Sequence, residues 1–167
     1  MSQHEHKAQA PTRVSCYVLT VSDTRTPDTD TSGRAIRTML EDAGHSVVGS
    51  NIVKDEPALV ARTVRHEVEA AQTQVILITG GTGITSRDGS FEAVDGLFDK
   101  RLDGFGELFR MLSYEDIGPA AMLSRATAGT AGKTVIFLMP GSEKAVRLAM
   151  SKLILPELGH LAQQIGK

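Results

Sequence analysis

The sequence predicts an α/β fold in which an open, mainly parallel sheet carries helices on both faces. Three observations lead there. Strand-like and helix-like segments alternate from Val14 onward, the order that parallel crossovers produce. Two segments, residues 75–79 (VILIT) and 135–139 (VIFLM), are apolar without alternation, as strands covered on both faces are. The residues hardest to explain by packing gather where strands end: Ser22-Asp23, residues 54–56 (KDE), residues 80–83 (GGTG) and residues 139–142 (MPGS). In an open α/β sheet those ends share one side, and ligands bind there.

Each element follows in order. Residues 14–22 (VSCYVLTVS) predict a buried strand, and residues 23–33 a polar loop. From Ser32 the pattern turns helical, with Ala35, Ile36, Met39, Leu40 and Ala43 on one stripe and Gly44 as the C-terminal cap. Residues 45–54 predict a second strand. Residues 55–71 open with acids and Pro57, as helix N-termini do, and repeat Leu59, Val60, Val64 and Val68 at helical spacing. Residues 75–79 are the third strand. A short helix is expected over 91–98, then a glycine-punctuated stretch over 100–125 with no regular element assigned. Residues 135–139 form a further strand, and residues 140–158 a final helix. No internal repeat and no linker divides the chain.

The 167 residues suit one domain, expected over 13–167 behind a polar leader, residues 1–12, expected to be disordered. Hydrophobic residues make up 41% and charged residues 23%, enough apolar content for a packed core. Net charge is −2 with no basic block, which argues against nucleic acid as the main partner. Apolar runs of about five residues are too short to span a membrane, and no apolar signal core opens the chain, so a cytoplasmic protein is expected. The one cysteine, Cys16, falls within a strand and fits the core better than a nucleophile's place.

The loop after the third strand carries the chemistry. Gly80, Gly81 and Gly83 allow backbone N–H groups to face an anion, although a tight strand-to-helix turn explains them equally well. Neither familiar phosphate template fits. No Lys-Ser/Thr ends the loop, and Ser86 stands where a dinucleotide site needs its third glycine. Residues 129–134 (GTAGKT) run into a strand and are discounted. Asp88 follows the glycines. A carboxylate beside bound phosphates is unfavourable without a cation between them, and Mg²⁺ commonly takes one or two carboxylates plus phosphates. The competing role is a helix cap, for which Ser90 is a rival. At Asp55, with Glu56 beside it, the cap is the stronger reading of the residues alone. Residues 140–142 open a helix whose N–H groups favour an anion. Arg87, Arg125 and Lys144 are candidate contacts for an anionic substrate, though lone basic residues are usually just solvated. The five histidines show no metal-ligand spacing.

Taken together, VLTVSDTR, GGTGITSRD, LDGFGELFR, IGPAAMLSRA and MPGSEKAVRLAMSKLILPELGHL resemble the MoaB/MogA family of molybdenum cofactor biosynthesis proteins, over residues 14–161. The resemblance implies a three-layer α/β sandwich. It implies Mg-ATP-dependent adenylylation of molybdopterin, with pyrophosphate released, before metal insertion. It makes Asp55 and Asp88 catalytic and Mg²⁺-binding, which lifts Asp55 from cap to site. Substrate and nucleotide contacts would come from Ser22, Asp23, Gly80, Gly81, Thr82, Gly83, Ser124, Pro140, Gly141 and Ser142. A trimer or hexamer is implied, which the apolar residues within 104–114 support, and so is contact with the metal-insertion protein of the same pathway. The chain departs from the family pattern at Gly89, Ser90 and Phe91, which stand where Val-Thr-Pro is usual, and at Glu143, which replaces a proline and sets a carboxylate near an expected anion site. Those departures favour an alternative: a non-catalytic pterin- or nucleotide-binding protein of the same pathway.

Overall fold

A computed structural model describes residues 2, 4, 5 and 10–167. Half of the expected disordered leader, residues 1–12, lies outside them; within them, Ala10 and Pro11 lie against Gly159. Six strands form one sheet: β1 (Ser15–Val21), β2 (Ser46–Val53), β3 (Val75–Thr79), β4 (Lys100–Arg101), β5 (Thr127–Ala131) and β6 (Thr134–Met139). Their order is β2-β1-β3-β6-β5-β4. The first four positions run parallel, and β5 pairs antiparallel with both β6 and β4. Helices α1 (Thr31–Asp42), α2 (Pro57–Glu69), α3 (Ser90–Asp95), α4 (Asp103–Ile117), α5 (Glu143–Ala149) and α6 (Leu155–Ile165) pack around it.

Every residue of β3 and β6 is buried, and successive side chains supply opposite layers. Val75 and Leu77 of β3, with Val135 and Phe137 of β6, meet Ile36 and Leu40 of α1, Phe109 of α4 and Leu158 of α6. Ile76, Ile78, Ile136 and Leu138 meet Val60 and Val64 of α2 and Val94 of α3. The unbroken apolar runs thus have the predicted cause, a helical layer on each face. Each buried Leu, Ile or Val contributes about 1.5–3 kcal/mol of transfer free energy. Cys16 is fully buried in the α1 layer, and burial pushes its thiol up to about 12, so it is core as expected.

Three elements differ from expectation. Residues 129–134, discounted as a false phosphate loop, are the turn region of the β5–β6 hairpin, which closes at Gly132-Lys133. The strand β5 (TAGTA) has only small side chains and so lacks an apolar signature. The unassigned stretch 100–125 contains a fifteen-residue helix, α4, followed by a 3₁₀ turn, Gly118–Leu123. Gly104 and Gly106 lower its helix propensity, but Phe105 and Phe109 are buried one turn apart and hold it to the sheet. The final helix is not continuous. Its α5 and α6 segments flank a π turn, Met150–Ile154, where the Leu155 N–H reaches back to the Met150 carbonyl. Pro156 cannot supply the N–H that the Lys152 carbonyl would need, and the widened turn accommodates this.

Candidate active site

The carboxyl ends of β1, β2, β3 and β6 deliver four loops to one cleft of about 390 Å³. Its walls include Ser22, Asp23, Asp55, residues 80–83, Arg87, Asp88 and Gly141. Gly80 and Gly81 have φ of +108° and +72°, the left-handed region that side chains rarely adopt. A Cβ on Gly80 would run into the Val21 carbonyl, and one on Gly81 would collide with Ser90 Oγ and lie 2.8 Å from Asp55 Oδ2. The glycines therefore let the chain pass close to both a neighbouring strand and a carboxylate.

Asp55 is buried and is not a helix cap. Glu56 occupies the cap position of α2 and makes no side-chain cap bond. Asp55 Oδ1 instead accepts from the Gly89 N–H at 3.2 Å, across the cleft floor. Burial raises its carboxyl above the ordinary range, the Gly89 hydrogen bond opposes this, and the charges of Asp88 and Asp23 add to the rise. Its backbone N–H donates to Asp23 Oδ1 at 3.1 Å. Asp23 in turn takes two hydrogen bonds from Arg87, at 3.0 and 2.9 Å, which hold its carboxyl below the ordinary range. Arg87 is thus spent on bracing the cleft wall.

The cap role also fails for Asp88. The cap position of α3 is Gly89, with no side-chain bond. Asp88 Oδ2 accepts from the Thr85 hydroxyl at 2.6 Å and the Thr85 N–H at 2.9 Å, and these bonds lower its pKa. The expected rival cap, Ser90, is no cap either: its hydroxyl is fully buried and has no hydrogen-bond partner among the described residues. Arg125 straps the loop from a distant segment. It donates to the carbonyls of Gly83 (3.0 Å) and Asp88 (3.2 Å), pairs with Glu92, and lies 5.3 Å over the Phe91 ring. Phe91, one of the departures from the family pattern, therefore has a structural partner.

The other expected site residues divide. Ser22, Thr82 and Gly141 line the cleft with the residues above. The Pro140 carbonyl accepts from the Thr79 hydroxyl at 2.7 Å, fixing the turn, but Pro140 is not a wall. Ser142 caps α5, accepting from the Ala145 N–H at 3.2 Å, and does not line the cleft. Ser124 lines a separate pocket of about 420 Å³ with Arg110 and Arg101. Lys144 pairs with Asp116, and Glu143 with Arg147, and neither lines the cleft. The cleft residues that the sequence reading missed include Arg25, Asp30 and Ser32. Asp30 is buried, takes the Thr20 hydroxyl at 2.7 Å and the Gly33 N–H at 2.9 Å, and caps α1. Its position just before an apolar-periodic segment was the available signal. Ser32 ties α1 to the Gly141 carbonyl at 2.7 Å, a contact no sequence pattern announces.

The cleft adjoins a second lobe of about 530 Å³ that shares Ser22, Asp23, Arg25 and Asp30 as a common wall. The two lobes differ in charge. The glycine lobe has four carboxylates, Asp23, Asp30, Asp55 and Asp88, against two guanidiniums, Arg25 and Arg87, a net −2. The second lobe adds Arg37 and Lys54 to Arg25, against Asp23 and Asp30, a net +1. Among the described residues no group of three or more His, Cys, Asp or Glu forms a metal cage. Asp55 and Asp88 could instead hold a Mg²⁺ that arrives with phosphates and water among its ligands. No helix among the described residues is long and apolar enough to cross a membrane.

Comparison with known proteins agrees with this fold. Residues 17–160 match a family described as "Probable molybdopterin binding domain". The chain is 54% identical to Molybdenum cofactor biosynthesis protein B of Bacillus cereus over 168 residues, covering 100% of this chain and 99% of that one. A crystal structure of Molybdenum cofactor biosynthesis protein B superposes with a TM-score of 0.91 at 53% identity, over 95% of this chain and 99% of the other. The tungsten cofactor synthesizing protein MoaB from Pyrococcus furiosus superposes at 0.83 with 37% identity, over 95% and 100%. The chain belongs to the MoaB/MogA family of molybdenum cofactor biosynthesis proteins.

Proposed function

We propose that the chain adenylylates molybdopterin with Mg-ATP in the cytoplasm, using the glycine lobe for the nucleotide phosphates. The observation that carries this is the lobe's composition: left-handed backbone at Gly80 and Gly81 beside two carboxylates, Asp55 and Asp88, that no helix start uses. An anionic oxygen of the pterin phosphate attacks the α-phosphorus. The bond to the bridging oxygen breaks, and pyrophosphate leaves. The nucleophile is already ionised, so no general base is needed, and the protein's task is positioning and charge compensation. Backbone N–H groups of the loop orient the phosphates. Asp55, fixed by Gly89, and Asp88, fixed by Thr85, would hold the Mg²⁺ that ATP brings, which supplies charge neutralisation on the phosphates. Arg125 keeps the loop in place while this happens.

An assembly of three or six copies belongs to the same proposal. Its support is the apolar surface of Leu108, Met111, Tyr114 and Ile117 on α4 and Met122 and Leu123 beyond it, each about half exposed or more. Sedimentation at micromolar concentration checks it, with a single 17.9 kDa species as the contrary result.

One observation favours the non-catalytic alternative: Asp88 Oδ2 is already engaged by its own loop. Pyrophosphate release on mixing the protein with Mg-ATP and molybdopterin separates the two. Stoichiometric adenylylated pterin supports the enzyme. Binding of both ligands without release supports the carrier.

A further inference from the structure

One peptide bond fixes where the Asp55 carboxylate points, and a residue 37 positions beyond that peptide's first residue holds it from behind. We propose, resting on the adenylylation reading above, that Arg125 is a positioning residue of that reaction. It acts on Asp55 through the peptide that joins Asp88 to Gly89.

Three features carry this. First, the peptide is held on both sides. Arg125 Nη2 donates to the Asp88 carbonyl at 3.2 Å, and the Gly89 N–H of the same peptide donates to Asp55 Oδ1 at 3.2 Å. A trans peptide points its C=O and N–H in opposite directions, so a guanidinium on one side fixes the donor on the other. The guanidinium also polarises the peptide and strengthens its N–H as a donor. Flipped, the peptide would set the Asp88 carbonyl oxygen against the buried Asp55 carboxylate. Second, the segment supplies no anchor of its own for this peptide. Gly89 has no side chain to pack, and a Cβ there would lie 2.5 Å from Pro57 Cγ. The helix that follows has no side-chain cap. Third, Arg125 is itself firmly seated. Its backbone N–H donates to the Thr82 carbonyl at 3.1 Å, and its Nε to the Gly83 carbonyl at 3.0 Å. Arg110 of α4 donates to the carbonyls on either side of it, Ser124 at 3.4 Å and Ala126 at 2.9 Å. The Arg125 side chain is 29% exposed, so water competes little for these bonds. A strap that merely anchored the loop would work through the Glu92 ion pair as well as the carbonyls. A strap that acts on Asp55 works through the Asp88 carbonyl.

The test combines amide hydrogen exchange, read by NMR, with pyrophosphate release. It compares wild type, Arg125→Gln, Glu92→Gln, Asp55→Asn and the double variant Arg125→Gln/Asp55→Asn. In Arg125→Gln the Gly89 N–H should exchange about tenfold faster or more, the size of one lost charge-assisted hydrogen bond. Glu92→Gln removes the ion pair, keeps the carbonyl bonds, and should leave that exchange within about twofold. In Arg125→Gln kcat should fall about tenfold, less than the roughly hundredfold expected of Asp55→Asn, with KM for molybdopterin within about twofold. Glu92→Gln should keep kcat within about twofold. Because Arg125 acts through Asp55, the double variant should be slower than Asp55→Asn by no more than about twofold. Should Arg125→Gln fail to fold, Arg125→Lys keeps the stem and charge without the planar fork and should show the same pair of effects. Unchanged Gly89 exchange in the Arg125 variant, equal losses in Glu92→Gln, or rate losses that multiply in the double variant overturn the assignment while adenylylation stands. Faster Gly89 exchange in Arg125→Gln, with no pyrophosphate release by wild type, upholds the hold on Asp55 and removes the catalytic reading.

Discussion

Two neighbouring turns leave two neighbouring strands, and they solve the same problem differently. After β6, three residues suffice. Ser142 caps α5 with its own side chain, and Glu143 pairs with Arg147 one turn on. After β3, ten residues, 80–89, precede α3, and no side chain caps that helix although Asp88 and Ser90 are at hand. Their polar groups go elsewhere. Asp88 ties down its own loop, and Ser90 Oγ sits unpartnered beside Gly81. Distant residues do the fixing instead: Asp55 holds Gly89, and Arg125 holds Gly83 and Asp88. A helix start that caps itself serves stability. One that leaves its cap unmade and borrows restraint from far away leaves Ser90 Oγ without a partner and Asp55 on the cleft wall.

The sharpest way to break this contrast is charge removal. Asp55→Asn and Asp88→Asn should each lower pyrophosphate release by roughly a hundredfold or more, as loss of one key electrostatic contact does. Asn preserves the acceptors for Gly89 and Thr85, so circular dichroism should show an intact fold. Ser142→Ala should leave release within about twofold. Equal activity losses in both turns would dissolve the distinction.

Backbone room is the next test. Gly81→Ala places a Cβ at φ +72° and against Ser90 Oγ and Asp55. Strain of about 1–2 kcal/mol and crowding of about 1–3 kcal/mol should together lower the melting temperature by roughly 5–15 °C. A Cβ on Gly141 meets only Gly80 Cα, at an ordinary 3.5 Å, so Gly141→Ala should change stability by about 0.5 kcal/mol or less. Thermal melts of the two variants side by side decide it.

Smaller effects separate the two serines. Ser142→Ala should cost about 1 kcal/mol through the lost cap. Ser90→Ala removes a buried hydroxyl without a partner and should be neutral or slightly stabilising, within about 1 kcal/mol. Urea titrations at constant m-value measure both. A Ser90→Ala loss larger than that of Ser142→Ala would show that Ser90 does cap the helix in solution.

The smallest expected signal is a pH dependence at Asp55 in metal-free buffer. Burial raises its folded pKa above the unfolded value. Between those two values the folded chain binds the extra proton, so stability falls as pH rises through that window, and the penalty is complete above the folded pKa. Asp55→Asn carries no charge to bury. Its melting temperature relative to wild type should therefore climb from acid to neutral pH, and a flat difference across that range would deny the raised pKa.

The sequence by itself determined the layered α/β plan, because apolar periodicity reports burial residue by residue: unbroken in VILIT and VIFLM, and striped in α1 and α2. It also marked the glycine loop, since only a special backbone calls for three glycines in four residues, and the family pattern singled out Asp55 and Asp88. The hairpin strand β5 and the helix α4 were hidden because small residues and glycines carry weak local preferences that sheet pairing and the burial of Phe105 and Phe109 override. Only the tertiary structure decided what the polar residues do. A carboxylate before a helix is a plausible cap in any sequence. The folded chain kept that role at Asp30 and rejected it at Asp55 by bringing Gly89 to it across 34 residues, and it joined Arg87 to Asp23 across 64 and Ser32 to Gly141 across 109. Hydrogen bonds form between groups that are close in space, and that closeness is set by the packing of the whole sheet.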